Sequence, residues 1–179
     1  MTRKLGELSW TDAAAARDRG ALVLLPIGST EAHGPHLPLA TDAILSDELA
    51  HRAGEALERK DLEVLIAPTL SYAITDYASE FAGTVSLAPA TALALVSDVC
   101  ASLIQQGFQR VCLVNSHLEP AHVTSLKEAC AQVRERTGVT VAFPDQLDRR
   151  WARTLTDEYK RGACHAGSYE TSLVLAARP

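Results

Sequence analysis

Residues 21–27 read Ala-Leu-Val-Leu-Leu-Pro-Ile, an apolar run without polar alternation. A strand with one wet face alternates apolar and polar side chains, so an unbroken run suits a strand covered on both faces. Shorter runs of the same kind occupy residues 63–67, 110–114 and 139–143. Between them the spacing turns helical. Ser9 and Asp12 have the arrangement of an N-cap with an acid three residues on, and Gly20 can end that helix. Ile44, Leu45, Leu49, Ala53, Ala56 and Leu57 make one apolar stripe. Pro89 suits a first helical turn, followed by a stripe from Leu93 to Ile104 and a stop at Gly107. Val123, Leu126, Ala129, Cys130 and Val133 mark the next helix, ending near Gly138. Residues 147–159 and 170–177 also look helical. Strands separated by helices of this length need crossover connections. The expected fold is therefore α/β, a three-layer α/β/α sandwich with a mostly parallel sheet. Residues 71–85 lack such regularity and are expected to form a loop over the sheet edge.

At 179 residues the chain suits one domain, spanning 1–179. Its formal charge of −5 is diffuse, and no Lys/Arg stripe forms. That argues against nucleic acid or an anionic membrane as a partner. The apolar runs are far too short to cross a bilayer, and residues 1–20 lack the apolar core of a secretory signal. Cys100, Cys112, Cys130 and Cys164 show no Cys-x-x-Cys spacing, so a structural zinc knot is not indicated. Three of them fall at apolar positions and suit packed free thiols in a reducing cytoplasm.

Two patches carry the chemistry. Glu31-Ala32-His33 follows the first apolar run, and His117-Leu118-Glu119 follows the third. Each holds one imidazole and one carboxylate, and Asp42 adds an acid just beyond the first patch. In parallel sheets ligands bind beyond the carboxyl ends of the strands, so both patches should open on one edge. Carboxylate and imidazole together suit two divalent metal ions: zinc or manganese, with iron as a third candidate. Asp42 is the natural bridge, because its two oxygens can face two ions. Two ions sharing a water generate hydroxide near neutral pH and polarise a carbonyl, which is a hydrolase's equipment. One such patch alone is more often a solvated loop. Two patches after two strands, with Thr41-Asp42 entering a helix, are far harder to reach by coincidence.

His165 can serve as a general acid toward a leaving nitrogen. Glu170 can orient it, hold a substrate amine or cap the final helix. A Cys164 nucleophile is disfavoured, since neighbours in a chain seldom face each other. His36 is a further candidate ligand. His51 and His122 suit surface or packing positions, and Ser29 and Ser116 are placed to support the ligands. No Gly-rich phosphate loop is present, so a nucleotide-binding module rests on fold analogy alone.

The segment Gly28-Ser-Thr-Glu-Ala-His-Gly-Pro-His-Leu-Pro-Leu-Ala-Thr-Asp42 closely resembles the signature of the creatininase (creatinine amidohydrolase) family. Asn115-Ser-His-Leu-Glu119 resembles its second metal motif, and His165-Ala-Gly-Ser-Tyr-Glu-Thr-Ser172 its third, in the family's order. The resemblance implies a dinuclear amidohydrolase that cleaves a non-peptide C–N bond in a small cyclic amide or formamide. It implies that Glu31, Asp42 and His117 hold one metal and His33, Asp42 and Glu119 the other, with Asp42 bridging. It also implies that His165 is catalytic, that Glu170 is the acid of a Glu-Thr-Ser motif, and that the chain forms a homo-oligomer, a hexamer. Departures accompany the likeness. Ala32 replaces the usual Gln, Ser168 stands where many members carry Glu, and Asn115-Ser-His-Leu-Glu-Pro replaces the common Gly-His-Gly-Gly-Asn. Creatinine itself is not favoured as substrate, because the aromatic residues of its pocket have no match beyond Trp151. The chain ends at Pro179, soon after the third motif, so a shortened member is expected. The alternative is a relative that keeps the metals as a structural or sensing element without turnover.

Overall fold

A computed structural model of the chain describes residues 3–146, 148, 153–161 and 165–179. The sheet is parallel throughout and contains β1 (Arg3–Lys4), β2 (Leu22–Ile27), β3 (Val64–Ile66) and β4 (Arg110–Asn115), in the order β1-β3-β2-β4. Among the described residues the helices are α1 (Trp10–Asp18), α2 (Thr41–Glu58), α3 (Pro89–Gln105), α4 (Pro120–Thr137), α5 (Asp157–Lys160) and α6 (Ser168–Ala177). They cover both faces of the sheet. Val23, Leu25 and Ile27 of β2 point to one side, where Ala16 of α1, Val96, Cys100 and Ile104 of α3, and Leu126, Ala129 and Val133 of α4 meet them. Leu24 points to the other side with Val64, Ile66 and Val114, against Ala50 of α2. This is why residues 21–27 show no alternation. Both faces are buried, and each large aliphatic side chain so covered contributes roughly 1.5–3 kcal/mol.

Pro26 sits in a central strand, where proline is normally excluded. Its carbonyl accepts from Leu70 N at 3.0 Å, on the flank where the β3 pairing has already ended at Leu24↔Ile66. The missing N–H therefore breaks no ladder bond. The helix signals hold in detail as well. Ser9 Oγ accepts from Asp12 N at 3.2 Å, Pro89 opens α3, and Gly138 ends α4 with a φ of 75° that favours glycine.

Three expectations need correction. Residues 139–143 do not form a strand. They touch β4 at a single bridge, Cys112↔Ala142, and Pro144, which lacks an N–H, stops the ladder there. A helix over 147–159 is not found in its described part, which is helical only from Asp157 after Thr156 caps a new start; residues 147 and 149–152, including Trp151, lie outside the described residues. The final helix begins at Ser168, not Glu170. The edge strand β1, too short and charged to show an apolar pattern, carries no signal in the sequence.

The sheet order decides where the two patches go. β2 and β4 are neighbours, with Ile27 opposite Asn115. Their carboxyl ends therefore deliver Glu31, His33, His117 and Glu119 to one edge, as the parallel arrangement requires.

Candidate metal centre

Asp42 lies in the first turn of α2, and Gly28 is what lets that turn close on the end of β2. A Cβ built on Gly28 would fall 2.3 Å from Ala43 N and 2.5 Å from the Asp42 carbonyl carbon. No side chain fits there, and the contact is with backbone that cannot yield. Ser29 Oγ then donates to Asp42 Oδ2 at 2.7 Å. From this seat the two Asp42 oxygens face the two imidazoles separately. Oδ1 lies 3.3 Å from His33 Nε2, and Oδ2 lies 3.0 Å from His117 Nδ1. Glu31 Oε1 is 3.2 Å from His117 Nδ1 and 3.8 Å from His33 Nε2.

The far side of each ring fixes its orientation. His33 Nδ1 is 3.2 Å from the Glu31 carbonyl, and His117 Nε2 is 2.7 Å from the Ile74 carbonyl. Each carbonyl can only accept, so each of those nitrogens carries the proton. Once metal displaces the second ring proton, the lone pairs of His33 Nε2 and His117 Nδ1 are the ones that would face the centre, the usual outer support of a ligating histidine. Asn115 braces the second patch: its Nδ2 donates to the His117 carbonyl at 2.6 Å, and its Oδ1 accepts from His117 N at 3.3 Å. His122 Nε2 in turn lies 3.2 Å from Asn115 Oδ1, and its ring centroid is 5.0 Å from that of His117.

All of this is out of water. Glu31, His33, Asp42, His117 and Glu170 are each 5 % exposed or less. Burial works against charge on the two rings, yet the facing carboxylates outweigh it. Asp42 and Glu170 hold His33 up at about 10, and Asp42 and Glu31 hold His117 up at about 10. Burial likewise disfavours the Asp42 anion, but His117 and His33 keep its carboxyl well below the usual range. Burial and the neighbouring His117 push His122 down to about 3, so it stays neutral.

The expected residues do not all converge. Glu31, Asp42 and His117 offer ligand atoms within 4.8 Å of one another, and so do His33, Asp42 and Glu170. A third such set is Glu31, His33 and His165. Glu119 stands apart: its Oε2 lies 3.9 Å from His117 Nε2, on the far side of that ring, and burial raises its pKa. Glu170 occupies the place beside His33, with Oε1 3.7 Å from Nε2, while its other oxygen accepts the Ala166 N–H. His165 Nε2 is 3.0 Å from the Ala32 carbonyl, and the His165 and His33 ring centroids are 4.3 Å apart. His36 is exposed and meets Thr171 Oγ1 at 3.2 Å, away from the centre. Ser116 N accepts no ligand duty and donates to Ser46 Oγ at 3.0 Å. Cys164 lies outside the described residues.

Two residues of the 71–85 loop join the site without any signal in the sequence. Thr75 Oγ1 donates to Glu31 Oε2, and the Tyr77 hydroxyl donates to Glu31 Oε1 at 3.0 Å. Burial and the Glu31 charge raise the Tyr77 pKa far above its ordinary value, so the phenol keeps its proton. Polar residues in an irregular loop look alike until the chain path is known.

The donor set fits divalent cations. Three carboxylates, Glu31, Asp42 and Glu170, share one buried space, and among the described residues no lysine or arginine pairs with any of them. The two imidazoles that face them can offset at most two of the three charges, and an uncompensated buried charge costs several kcal/mol. His33 Nε2 and Glu119 Oε2 are buried without a hydrogen-bond partner. Orphaned donors of this type, beside imidazole and carboxylate, are what zinc or manganese would satisfy.

Comparison with known proteins identifies the family. The family model for creatininase, creatinine amidohydrolase, matches residues 6–179. The mycofactocin precursor peptide peptidase of Mycobacterium tuberculosis (strain CDC 1551 / Oshkosh) is 28 % identical over 180 residues, covering 98 % of this chain and 66 % of that protein. The chain thus spans about two thirds of that relative's length. Creatinine amidohydrolase of Pseudomonas putida is 28 % identical over 193 residues, covering 98 % of this chain and 72 % of its own. A crystal structure of creatinine amidohydrolase superposes with a TM-score of 0.85 at 26 % identity, over 99 % of this chain and 73 % of the other. A manganese creatininase gives 0.83 at 26 % identity, over 100 % and 74 %. A mutant creatininase of the Zn-Zn type gives 0.83 at 25 %, with the same coverage. With the motifs, the parallel sheet and a family match over nearly its whole length, the chain belongs to the creatininase family.

Proposed function

We propose that this chain is a metal-dependent amidohydrolase that cleaves a C–N bond in a small cyclic amide or formamide. The observation that carries the proposal is Asp42, whose two oxygens face His33 Nε2 and His117 Nδ1 separately in a buried, carboxylate-rich space. Two divalent ions, zinc or manganese, would be held by Glu31, Asp42 and His117 on one side and by His33 and Asp42 on the other. Glu119 is the family-implied third ligand of the second ion, and Glu170 is the carboxylate that stands nearest to His33. When bound, such ions lower the pKa of water and polarise a carbonyl.

The protein's own groups supply the rest. Glu31 is gripped at both oxygens by Thr75 and Tyr77, so it holds one geometry. The Ile74 and Glu31 carbonyls keep the two histidines in the ligating tautomer. His165, at the mouth of the site, gives a ring proton to the leaving nitrogen as the C–N bond breaks. Glu170 steadies the turn that presents it by accepting the Ala166 N–H. Ala166 adopts a φ of 53°, a left-handed conformation costing roughly 1–2 kcal/mol, so that turn needs an anchor.

The test is hydrolysis by protein stripped of metal and reloaded with zinc or manganese. The panel should hold creatinine, formamides, small cyclic amides and short peptides, because one relative is named a peptidase and another an amidohydrolase. Turnover that appears only on reloading and vanishes in His33→Ala is expected. Turnover that survives loss of metal would overturn the proposal. A second reading, a metal-binding relative without turnover, draws on the displaced Glu119. Stoichiometric metal without hydrolysis of any member of the panel would favour it.

A further inference from the structure

Tyr77 touches both halves of the site. Its hydroxyl lies 3.0 Å from Glu31 Oε1 and 2.9 Å from His165 Nδ1, and the Tyr77 and His165 rings meet edge to face at 5.3 Å and 82°. His165 needs such a partner. Its side chain is 37 % exposed and leads into the strained Ala166, and besides Tyr77 it meets the Ala32 carbonyl at 3.0 Å and the His33 ring. Ordering a side chain in contact with water requires fixed contacts that offset the lost rotamer freedom.

Tyr77 is itself anchored. Its short 3-10 turn, Asp76–Ala78, is tied down by Ser86, whose Oγ donates to Asp76 Oδ1 at 2.6 Å and accepts from Thr75 N at 2.9 Å. Leu87 N donates to the Ala73 carbonyl at 2.8 Å, closing the base of the loop. Thr75 and Tyr77, two residues apart, grip the two oxygens of Glu31. One turn therefore fixes the buried carboxylate and reaches on to the exposed imidazole.

We propose that Tyr77 is a positioning residue that locks the His165 imidazole in register with Glu31, and so sets where the proton is delivered. The proposal rests on His165 being the proton donor. As the C–N bond breaks, its electron pair stays on the nitrogen, which takes the proton from a His165 ring nitrogen. The acyl carbon keeps the oxygen supplied by water. Tyr77 keeps its own proton throughout and forms no bond to substrate.

Y77F separates this role from simple packing, because phenylalanine keeps the ring and its edge-to-face contact and removes only the hydroxyl. In zinc-loaded protein, Y77F should lower kcat about tenfold with KM changed by less than about twofold, since small misplacements of a reacting group are costly. Metal content should match wild type, because Thr75 still holds the other Glu31 oxygen and Asp42 and His117 are untouched. In an H165Q background, Y77F should change kcat by less than about twofold, because the two residues act as one unit. An equal loss in both backgrounds, or a loss that follows metal content, overturns the proposal. A second readout needs no turnover. In histidine-labelled, zinc-loaded protein, the His165 Cε1–H signal, assigned by its absence in H165Q, should shift and broaden in Y77F. An unchanged signal overturns the proposal, whereas a wild-type protein inert toward every amide would refute the hydrolase assignment alone.

Discussion

The floor and the rim of the site are built differently. The floor, Glu31, His33, Asp42 and His117, stands at the ends of β2 and β4 and the start of α2, sealed from water and cross-braced by opposite charges. The rim is loop: Tyr77, 53 % exposed, faces His165 across the mouth. A floor on strand ends keeps ligand atoms in place whether or not substrate is present. A rim on loops can change its side chains without disturbing the sheet, which is how one fold serves different substrates.

That contrast can be broken at the floor first. Asp42→Ala removes the group both imidazoles face, and should destabilise the protein by about 3–5 kcal/mol while abolishing stoichiometric metal. Urea unfolding and elemental analysis measure the two effects. Gly28→Ala tests the floor indirectly. Its Cβ would meet backbone at 2.3 Å, so overpacking should cost about 1–3 kcal/mol and weaken metal binding by shifting Asp42. Normal stability in that variant would show that α2 can slide away from β2. Asn115→Ala leaves every ligand in place but frees the His117 backbone. It should weaken zinc about 10–100-fold in a chelator competition, with little change in fold.

The floor should also respond to pH. In metal-free protein His33 and His117 sit at about 10 against an ordinary 6.5, so the stability they contribute is full below 6.5 and is lost as pH rises toward 10. Asp42 is depressed below its ordinary 3.8, so its contribution is lost as pH falls through that region. Thermal melts of the metal-free protein should therefore peak between about 4 and 6.5. Metal must displace the ring protons, so zinc affinity should rise over the same alkaline range in which the metal-free fold weakens. In the same loop as Tyr77, Phe81→Ser replaces a side chain that is 62 % exposed, so urea unfolding should show a stability change of no more than about 0.5 kcal/mol.

The layers of the fold were legible because burial leaves a pattern. Residues 21–27 lack alternation since helices cover both faces of β2, and the helix stripes and their caps follow the same logic. Residues 139–143 carry an apolar pattern too, yet make only one bridge, because pattern reports burial and not pairing. At the site, the pairs at 31/33 and 117/119 stood out by composition and spacing after predicted strands. Thr75 and Tyr77 did not, since a lone polar residue has no meaning until something faces it; Asn115 stands inside the second motif and His122 at a packing position, but neither pattern tells what it braces.

The amino-acid order alone thus set the layered α/β architecture, the edge on which the two patches open, and membership in a metal-site family. Those properties follow from local hydrophobic period and from short contiguous motifs. Tertiary structure alone set the pairing of β2 with β4, the split of the Asp42 oxygens between two imidazoles, the retreat of Glu119 and the reach of Tyr77. Each of these depends on distances between segments tens of residues apart, which strand order and loop path determine and local pattern does not encode.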